Sequence, residues 1–135
     1  MRKKIYYHDT DCGGVVYYGN YLSFFEEART EFFEENGISI KRLIDLGVVF
    51  VVSRQEIDYL APVRYGETIS IDTRVLEVTR ARIMLENSIE NEMGKVTCRG
   101  ITRLACVGKD LKPIPLPEEV RGNLSSIISK EEGGD

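Results

Sequence analysis

The sequence predicts an α+β fold in which a five-stranded antiparallel sheet wraps around one long helix. A stretch near the N-terminus repeats apolar residues at helical spacing and gives one broad apolar face. The second half of the chain alternates apolar and polar residues with the period of β-strands, in segments separated by turn residues. Because only the long helix is large enough to cover such a sheet, we expect it to lie across a curved sheet.

Composition and charge exclude several classes of protein. The chain has 135 residues, 42% of them hydrophobic and 30% charged, so we expect residues 1–135 to form one globular domain with a frayed tail at 130–135. A net charge of −4 gives no indication of a nucleic-acid surface. No apolar run approaches the ~20 residues of a membrane-spanning helix. Without a signal peptide, and with only three widely spaced cysteines, the chain is expected to be cytoplasmic with reduced thiols.

The first half of the chain is predicted to contain one strand and two helices. Residues 4–7 are rich in β-forming residues and predict a short strand. The long helix is expected to begin near Asn20, a good N-cap residue, and to end before Gly37. A second, shorter helix is expected over residues 39–46, with Ser39 as its N-cap. The predicted buried stripe of the long helix comprises Tyr21, Phe24, Phe25, Ala28, Phe32 and Phe33.

The second half is predicted to contain four strands and a closing helix. Residues 48–52 are continuously apolar, which suits a strand that is buried on both faces or lies in a subunit contact. The alternation slips near Gly100, which predicts a β-bulge. Pro117 is well placed at the first position of the closing helix. The predicted strands cover residues 48–61, 67–78, 81–90 and 96–107.

The loop before the long helix carries the residues best suited to chemistry. It contains the only histidine, His8, two acids, Asp9 and Asp11, and a Gly-Gly turn. A carboxylate beside a helix N-terminus can act as a base or a nucleophile. The unpaired N–H groups and the positive dipole end of the helix can stabilise an oxyanion. Alternatively, Asp11 is a loop acid that caps the helix, and Asp9 is expected to be structural.

Metal and thiol chemistry are less favoured at this loop. His8, Asp9, Asp11 and Cys12 are too crowded on one short segment to converge on one ion, so no metal is predicted. Cys12 beside His8 resembles a thiol nucleophile with its base, but no third group is available to orient the histidine.

Two long stretches of the sequence stand out, and they read YYHDTDCGGVVYYGNYLSFFEEARTEFF at residues 6–33 and FVV-R-EIDYLAPVRYGETISIDT at residues 50–73. Both resemble the signature of the hotdog-fold acyl-CoA thioesterases, in the 4-hydroxybenzoyl-CoA and Tol–Pal-associated groups. The resemblance implies the hotdog fold and hydrolysis of an acyl-CoA to a free acid and CoA. It implies no metal and no cofactor apart from the CoA of the substrate. It also implies a homodimer formed through the sheets, and often a homotetramer.

The resemblance assigns catalytic roles to two positions. The catalytic acid of the family carries over to Asp11, as a general base on water or as a nucleophile. The backbone N–H of Tyr18 corresponds to the group that polarises the thioester carbonyl in the 4-hydroxybenzoyl branch. The Tol–Pal branch usually has histidine at this position, so a mechanism that needs an imidazole there is not expected, whereas the N–H role is open to any residue except proline.

The resemblance also implies substrate-binding residues. Arg80 and Arg82 match a basic turn that binds the phosphates of CoA, although a solvated hairpin face is an equally simple interpretation. Val52 and Ser53 belong to the strand that is expected to line the acyl pocket from a second subunit. Tyr7 is a candidate for contact with the substrate, and its alternative is a buried strand aromatic.

Two other functions remain open at this level. A hotdog hydratase or dehydratase acting on acyl-CoA typically uses an Asp/His pair on the long helix, and the long helix here contains no histidine. A non-catalytic acyl-CoA-binding module would keep the arginines that bind CoA but would not need an acid at Asp11.

Overall fold

The computed structural model describes the backbone of residues 1–133 and the side chains of residues 1–128. The strands are β1 (Arg2–Lys4), β2 (Val49–Tyr59), β3 (Thr68–Val78), β4 (Arg82–Glu90) and β5 (Val96–Val107). The helices are α1 (Asn20–Glu35), α2 (Ile40–Asp45) and α3 (Glu118–Gly133), and Tyr7–Asp9 forms a 3₁₀ turn.

The five strands form one antiparallel sheet in the order β1-β3-β4-β5-β2. The first half of α1 packs on one face of this sheet, where Phe24, Phe25 and Ala28 contact inward-facing residues of β3, β4 and β5. A second cluster joins Phe33 at the end of α1 with the other half of the same sheet face and with α3. This is the predicted α+β arrangement, with the sheet around the long helix and β2 as a free edge strand.

Aromatic burial holds α1 in place. Phe24 and Phe25 are 1% and 0% exposed, and full burial of one such side chain is worth about 1.5–3 kcal/mol relative to exposure. The ends of the helices follow local rules that the sequence predicted. Gly37 has a φ of +80° just after α1, where a left-handed residue is needed. The Ser39 hydroxyl accepts a hydrogen bond from the N–H of Arg42 at 3.2 Å and caps α2.

The predicted strand over residues 4–7 is wrong except at Lys4, because the strand lies earlier, at Arg2–Lys4. β1 ends at Lys4, and Tyr7 lies in the 3₁₀ turn. The Asp9 carboxylate accepts a hydrogen bond from the N–H of Tyr6 at 3.0 Å, and the N–H of Asp9 donates to the Tyr6 carbonyl at 3.0 Å. These local bonds turn the chain away from the sheet, because they satisfy backbone groups that a strand would have paired.

The bulge predicted near Gly100 is present in β5 but lies three residues earlier. The extra residue in β5 is Thr97, since Ile89 pairs with Cys98 while Glu90 pairs with Val96. Gly100 has a packing role instead. A Cβ at this position would lie 2.8 Å from Cζ of Phe25 and nearer still to the ring edge, so a side chain is excluded by the ring of α1.

The C-terminal part agrees with the sequence up to its last residues. Pro117 directly precedes α3, and Val120 and Leu124 form its buried stripe. The helix continues to Gly133, so the predicted frayed tail is helical where the structure describes it, and residues 134–135 lie outside that part. Among the described residues, no helix is long and apolar enough to cross a membrane.

Candidate active site

Asp9 ties the loop to the entrance of α1. It is buried, and its carboxylate holds the N–H of Tyr6. Its backbone carbonyl accepts hydrogen bonds from the N–H of Tyr17 at 3.0 Å and from Nδ2 of Asn20 at 2.8 Å. Asn20 was expected to cap α1, but its side chain instead donates this hydrogen bond to Asp9. Gly19 occupies the cap position without a side-chain hydrogen bond. Asp9 therefore has the structural role that the sequence suggested.

Asp11 lies on a tight turn beside this tie. Its N–H donates to the Val15 carbonyl at 2.9 Å, and Gly14 takes a φ of +78°. One carboxylate oxygen, Oδ1, accepts the N–H of Gly13 at 2.8 Å, whereas Oδ2 has no hydrogen-bond partner among the described residues. The carboxylate is exposed and bonded within its own turn. The alternative that Asp11 caps α1 is therefore wrong, and one of its oxygens is open to water or substrate.

The entrance of α1 presents unpaired N–H groups. The carbonyls of Tyr17 and Tyr18 accept the N–H groups of Asn20 at 2.9 Å and Tyr21 at 3.3 Å. The N–H groups of Tyr18 and Gly19 themselves have no acceptor within the described part of the chain. These donors stand at the positive end of the helix dipole, where developing negative charge is stabilised. The N–H of Tyr18, which the sequence predicted as a donor to the thioester carbonyl, is therefore available to donate a hydrogen bond.

Tyrosines surround the loop and the entrance of α1. The ring of Tyr18 is 62% exposed and lies 4.7 Å from that of Tyr17 and 6.2 Å from that of Tyr59. Tyr7 is 75% exposed and meets Tyr65 edge to face at 5.9 Å. Tyr7 is therefore accessible, and the alternative of a buried strand aromatic is wrong. Its contact with a substrate stays a prediction.

The predicted CoA-binding arginines lie at the other end of the sheet. The Asp11 loop pairs with the segment just before β3, through the bridge between Val15 and Arg64. The N-terminal end of β3 pairs with the C-terminal end of β4, where Ser70 lies opposite Glu90. Arg82 lies at the other, N-terminal end of β4. The nine residues of β4 span about 26 Å at 3.3 Å per step. One chain therefore does not bring Arg80 or Arg82 to Asp11, and both arginines are exposed.

The predicted acyl-pocket residues lie in the middle of the free edge strand. Val52 is 47% exposed. Ser53 is the extra residue of a bulge in β2, because Val52 pairs with Leu104 while Arg54 pairs with Arg103. The Ser53 hydroxyl donates to the Arg103 carbonyl at 3.1 Å and accepts Nε of Arg103 at 3.0 Å. Both residues are accessible to a second molecule.

Thiol and metal chemistry gain no support from the geometry. Cys12, the thiol considered from the sequence, is exposed, and no hydrogen bond joins it to His8 within residues 1–128. The His8 imidazole is exposed and lies 3.5 Å from an oxygen of Asp9 rather than in a cluster. Within residues 1–128, no group of three or more His, Cys, Asp or Glu side chains could hold a metal ion.

Fold and site together define a hotdog protein with an exposed carboxylate and unpaired amides on the segment that leads into the long helix. The chain belongs to the Thioesterase-like superfamily, whose family model matches residues 6–124. It is 36% identical over 121 residues to the acyl-CoA thioesterase YbgC of Haemophilus influenzae, covering 87% of this chain and 88% of that protein. It is 33% identical over 132 residues to the 1,4-dihydroxy-2-naphthoyl-CoA hydrolase of Microcystis aeruginosa, covering 96% and 95%.

The solved structures agree with these relatives. The DHNA-CoA thioesterase of Staphylococcus aureus superposes with a TM-score of 0.94 at 27% identity, covering 100% of this chain and 93% of that one. These findings confirm the predicted hotdog fold and the predicted class of enzyme, a thioester hydrolase. They do not bear on individual site residues, whose roles stay predictions.

Proposed function

We propose that this protein hydrolyses an acyl-CoA thioester to a free acid and CoA, with Asp11 as its catalytic carboxylate. The observation that carries the proposal is the free Oδ2 of Asp11 on a turn that is tied, through Asp9, to the unpaired N–H groups at the entrance of α1. The relatives named for CoA thioesters support CoA as the carrier.

The chemistry follows from the two groups. The N–H of Tyr18 donates to the thioester carbonyl and stabilises the oxyanion as it forms, and one such donor is typically worth about 10²–10³ in rate. Asp11 either removes a proton from the attacking water or attacks the carbonyl itself to give an anhydride that water then opens. In both routes the C–S bond breaks, and the departing CoA thiolate takes up a proton that comes from the attacking water. In the first route the acid gains the water oxygen directly. In the second route it gains that oxygen when water attacks the acyl carbonyl of the anhydride, or an oxygen of Asp11 when water attacks the aspartyl carbonyl. No metal or further cofactor takes part in this proposal.

The proposed binding of CoA requires a second subunit, because only a second chain can bring the arginines to the end that carries Asp11. β2 is an eleven-residue edge strand, and its Val49–Val52 segment is apolar, so leaving it unpaired would favour uncontrolled association. Antiparallel pairing of two β2 strands about a two-fold axis sets the Tyr59 end of one against the Val49 end of the other. This operation brings the Arg82 end of the second sheet to the end that carries Asp11. We therefore propose a homodimer, and the homotetramer, the cytoplasmic location and the lack of nucleic-acid partners stay predictions.

The test is Asp11→Asn, assayed by thiol release from the best acyl-CoA substrate. Asparagine keeps an oxygen that can accept the N–H of Gly13, so the turn is preserved while the base or nucleophile is lost. We expect kcat to fall about 100-fold or more. Asp45→Asn makes the same change in charge on an exposed residue at the end of α2 and is expected to keep native turnover. Equal turnover by Asp11→Asn and the native protein would refute the role of Asp11.

A further inference from the structure

The Tyr59 hydroxyl reaches the entrance of α1 from the edge strand. It donates a hydrogen bond to the backbone carbonyl of Tyr18 at 3.2 Å. The Tyr59 ring also meets the rings of Tyr18 at 6.2 Å and Tyr21 at 5.4 Å, edge to face in both cases. Tyr59 is the last residue of β2, so this contact joins the free edge of the sheet to the start of α1 across 41 residues of sequence.

The hydrogen bond fixes the direction of an N–H group. The carbonyl of Tyr18 and the N–H of Gly19 belong to the same planar peptide and point in opposite directions. A carbonyl that is held by the Tyr59 hydroxyl therefore holds the Gly19 N–H on the opposite side. The preceding peptide is held in the same way, because the N–H of Asn20 donates to the Tyr17 carbonyl at 2.9 Å, and this fixes the N–H of Tyr18.

Within the described residues, the peptide between Tyr18 and Gly19 has one other hydrogen bond besides that of Tyr59. Gly19 occupies the cap position of α1 without any side-chain hydrogen bond. The Tyr18 carbonyl receives only a long hydrogen bond from within the helix, from the N–H of Tyr21 at 3.3 Å. Near the first turn of a helix such bonds fray easily. The Tyr59 hydroxyl, at 3.2 Å, adds a second bond of similar length from outside the helix, so donors from two different elements hold the Tyr18 carbonyl.

We propose that Tyr59 is a positioning residue for the reaction: its hydroxyl orients the Tyr18–Gly19 peptide so that the N–H groups at the entrance of α1 meet the oxyanion. This inference rests on the proposed function and adds to it a residue outside the loop that carries Asp11. The restraint matters most in the transition state, because a preorganised donor needs no reorientation as charge develops on the carbonyl oxygen. Tyr59 does not contact the reacting atoms in this scheme.

The test compares Tyr59→Phe with Tyr59→Leu in the full-length protein. Phenylalanine removes only the hydroxyl, whereas leucine also removes the ring contacts with Tyr18 and Tyr21. For one modest hydrogen bond we expect kcat of Tyr59→Phe to fall about three- to tenfold with KM unchanged and only a small decrease in melting temperature. We expect Tyr59→Leu to lose at least as much kcat and also to melt at a lower temperature. The control is again Asp45→Asn, an exposed change at the end of α2 that is expected to keep native kcat.

The outcomes separate this inference from the proposed function. If the native protein hydrolyses an acyl-CoA and Tyr59→Phe does so with the same kcat, the positioning role is overturned. This holds even if Tyr59→Leu loses activity, because ring packing alone would then explain the loss. A rise in KM at constant kcat would also overturn it, since it would indicate uniform substrate binding. Failure of the native protein to hydrolyse any acyl-CoA would instead refute the proposed function.

Discussion

Replacement of Gly100 by alanine tests the packing of α1 on the sheet. The new Cβ would lie 2.8 Å from Cζ of Phe25, whereas carbon atoms in ordinary contact are about 3.5–4.0 Å apart. The ring must therefore move by about 0.7 Å or more, and it is 0% exposed with packed neighbours on all sides. Overpacking of this kind costs about 1–3 kcal/mol. The gain of about 0.4–1 kcal/mol from restricting the unfolded chain offsets part of it.

The net expectation for Gly100→Ala is a loss of about 1–2 kcal/mol in the free energy of unfolding, measured by urea denaturation with an unchanged m value. Gly122→Ala is the matched control, because a Cβ there meets nothing within 4 Å on α3, and it is expected to stabilise by about 0.5–1 kcal/mol. Phe25→Leu combined with Gly100→Ala should cost less than the sum of the two single changes. Native stability in Gly100→Ala would refute the account of this contact.

Three further predictions concern accessibility and assembly. Burial raises the pKa values of Cys98, to about 11, and of Cys106, so a thiol reagent at pH 8 should label only the exposed Cys12 in the folded protein and all three thiols in denaturant. Val52→Lys on the free edge should shift the sedimentation coefficient towards that of a monomer, and an unchanged value would argue against pairing through β2. Arg82→Ala should raise KM for acyl-CoA about tenfold at constant kcat, and an unchanged KM would remove it from the CoA site.

The sequence predicted the fold because its local and periodic signals agree with the tertiary structure. The end of α1 at Gly37 and the cap at Ser39 depend on neighbouring residues alone. The misplaced first strand reflects local bonds between Tyr6 and Asp9 that the composition of residues 4–7 does not reveal. The misplaced bulge arose where a distant contact decides. At Gly100 the broken alternation reflects the ring of Phe25 from α1, and the bulge lies at Thr97, whose carbonyl accepts two N–H groups from the segment after β2.

The candidate site was predictable only in part for the same reason. Asp11 lies in the loop before the long helix, so composition marked it as a candidate, whereas its catalytic role and that of Tyr18 came from the family resemblance. The turn pairs one oxygen of the Asp11 carboxylate with the N–H of Gly13 and leaves the other open, and the sequence does not show this division. The contact of Tyr59 with Tyr18 joins two segments that meet only after the sheet has formed. A tyrosine at the end of an alternating strand gives no signal of this contact in the sequence.

The most direct test of the proposed activity is thiol release by the native protein from acetyl-, 4-hydroxybenzoyl-, phenylacetyl- and palmitoyl-CoA. The product should be followed by mass spectrometry, which separates hydrolysis from hydration of an acyl chain. We expect saturable release of CoA and the free acid from at least one of these thioesters. Saturable binding of CoA without release of thiol from any of them would contradict the account and would favour a binding module.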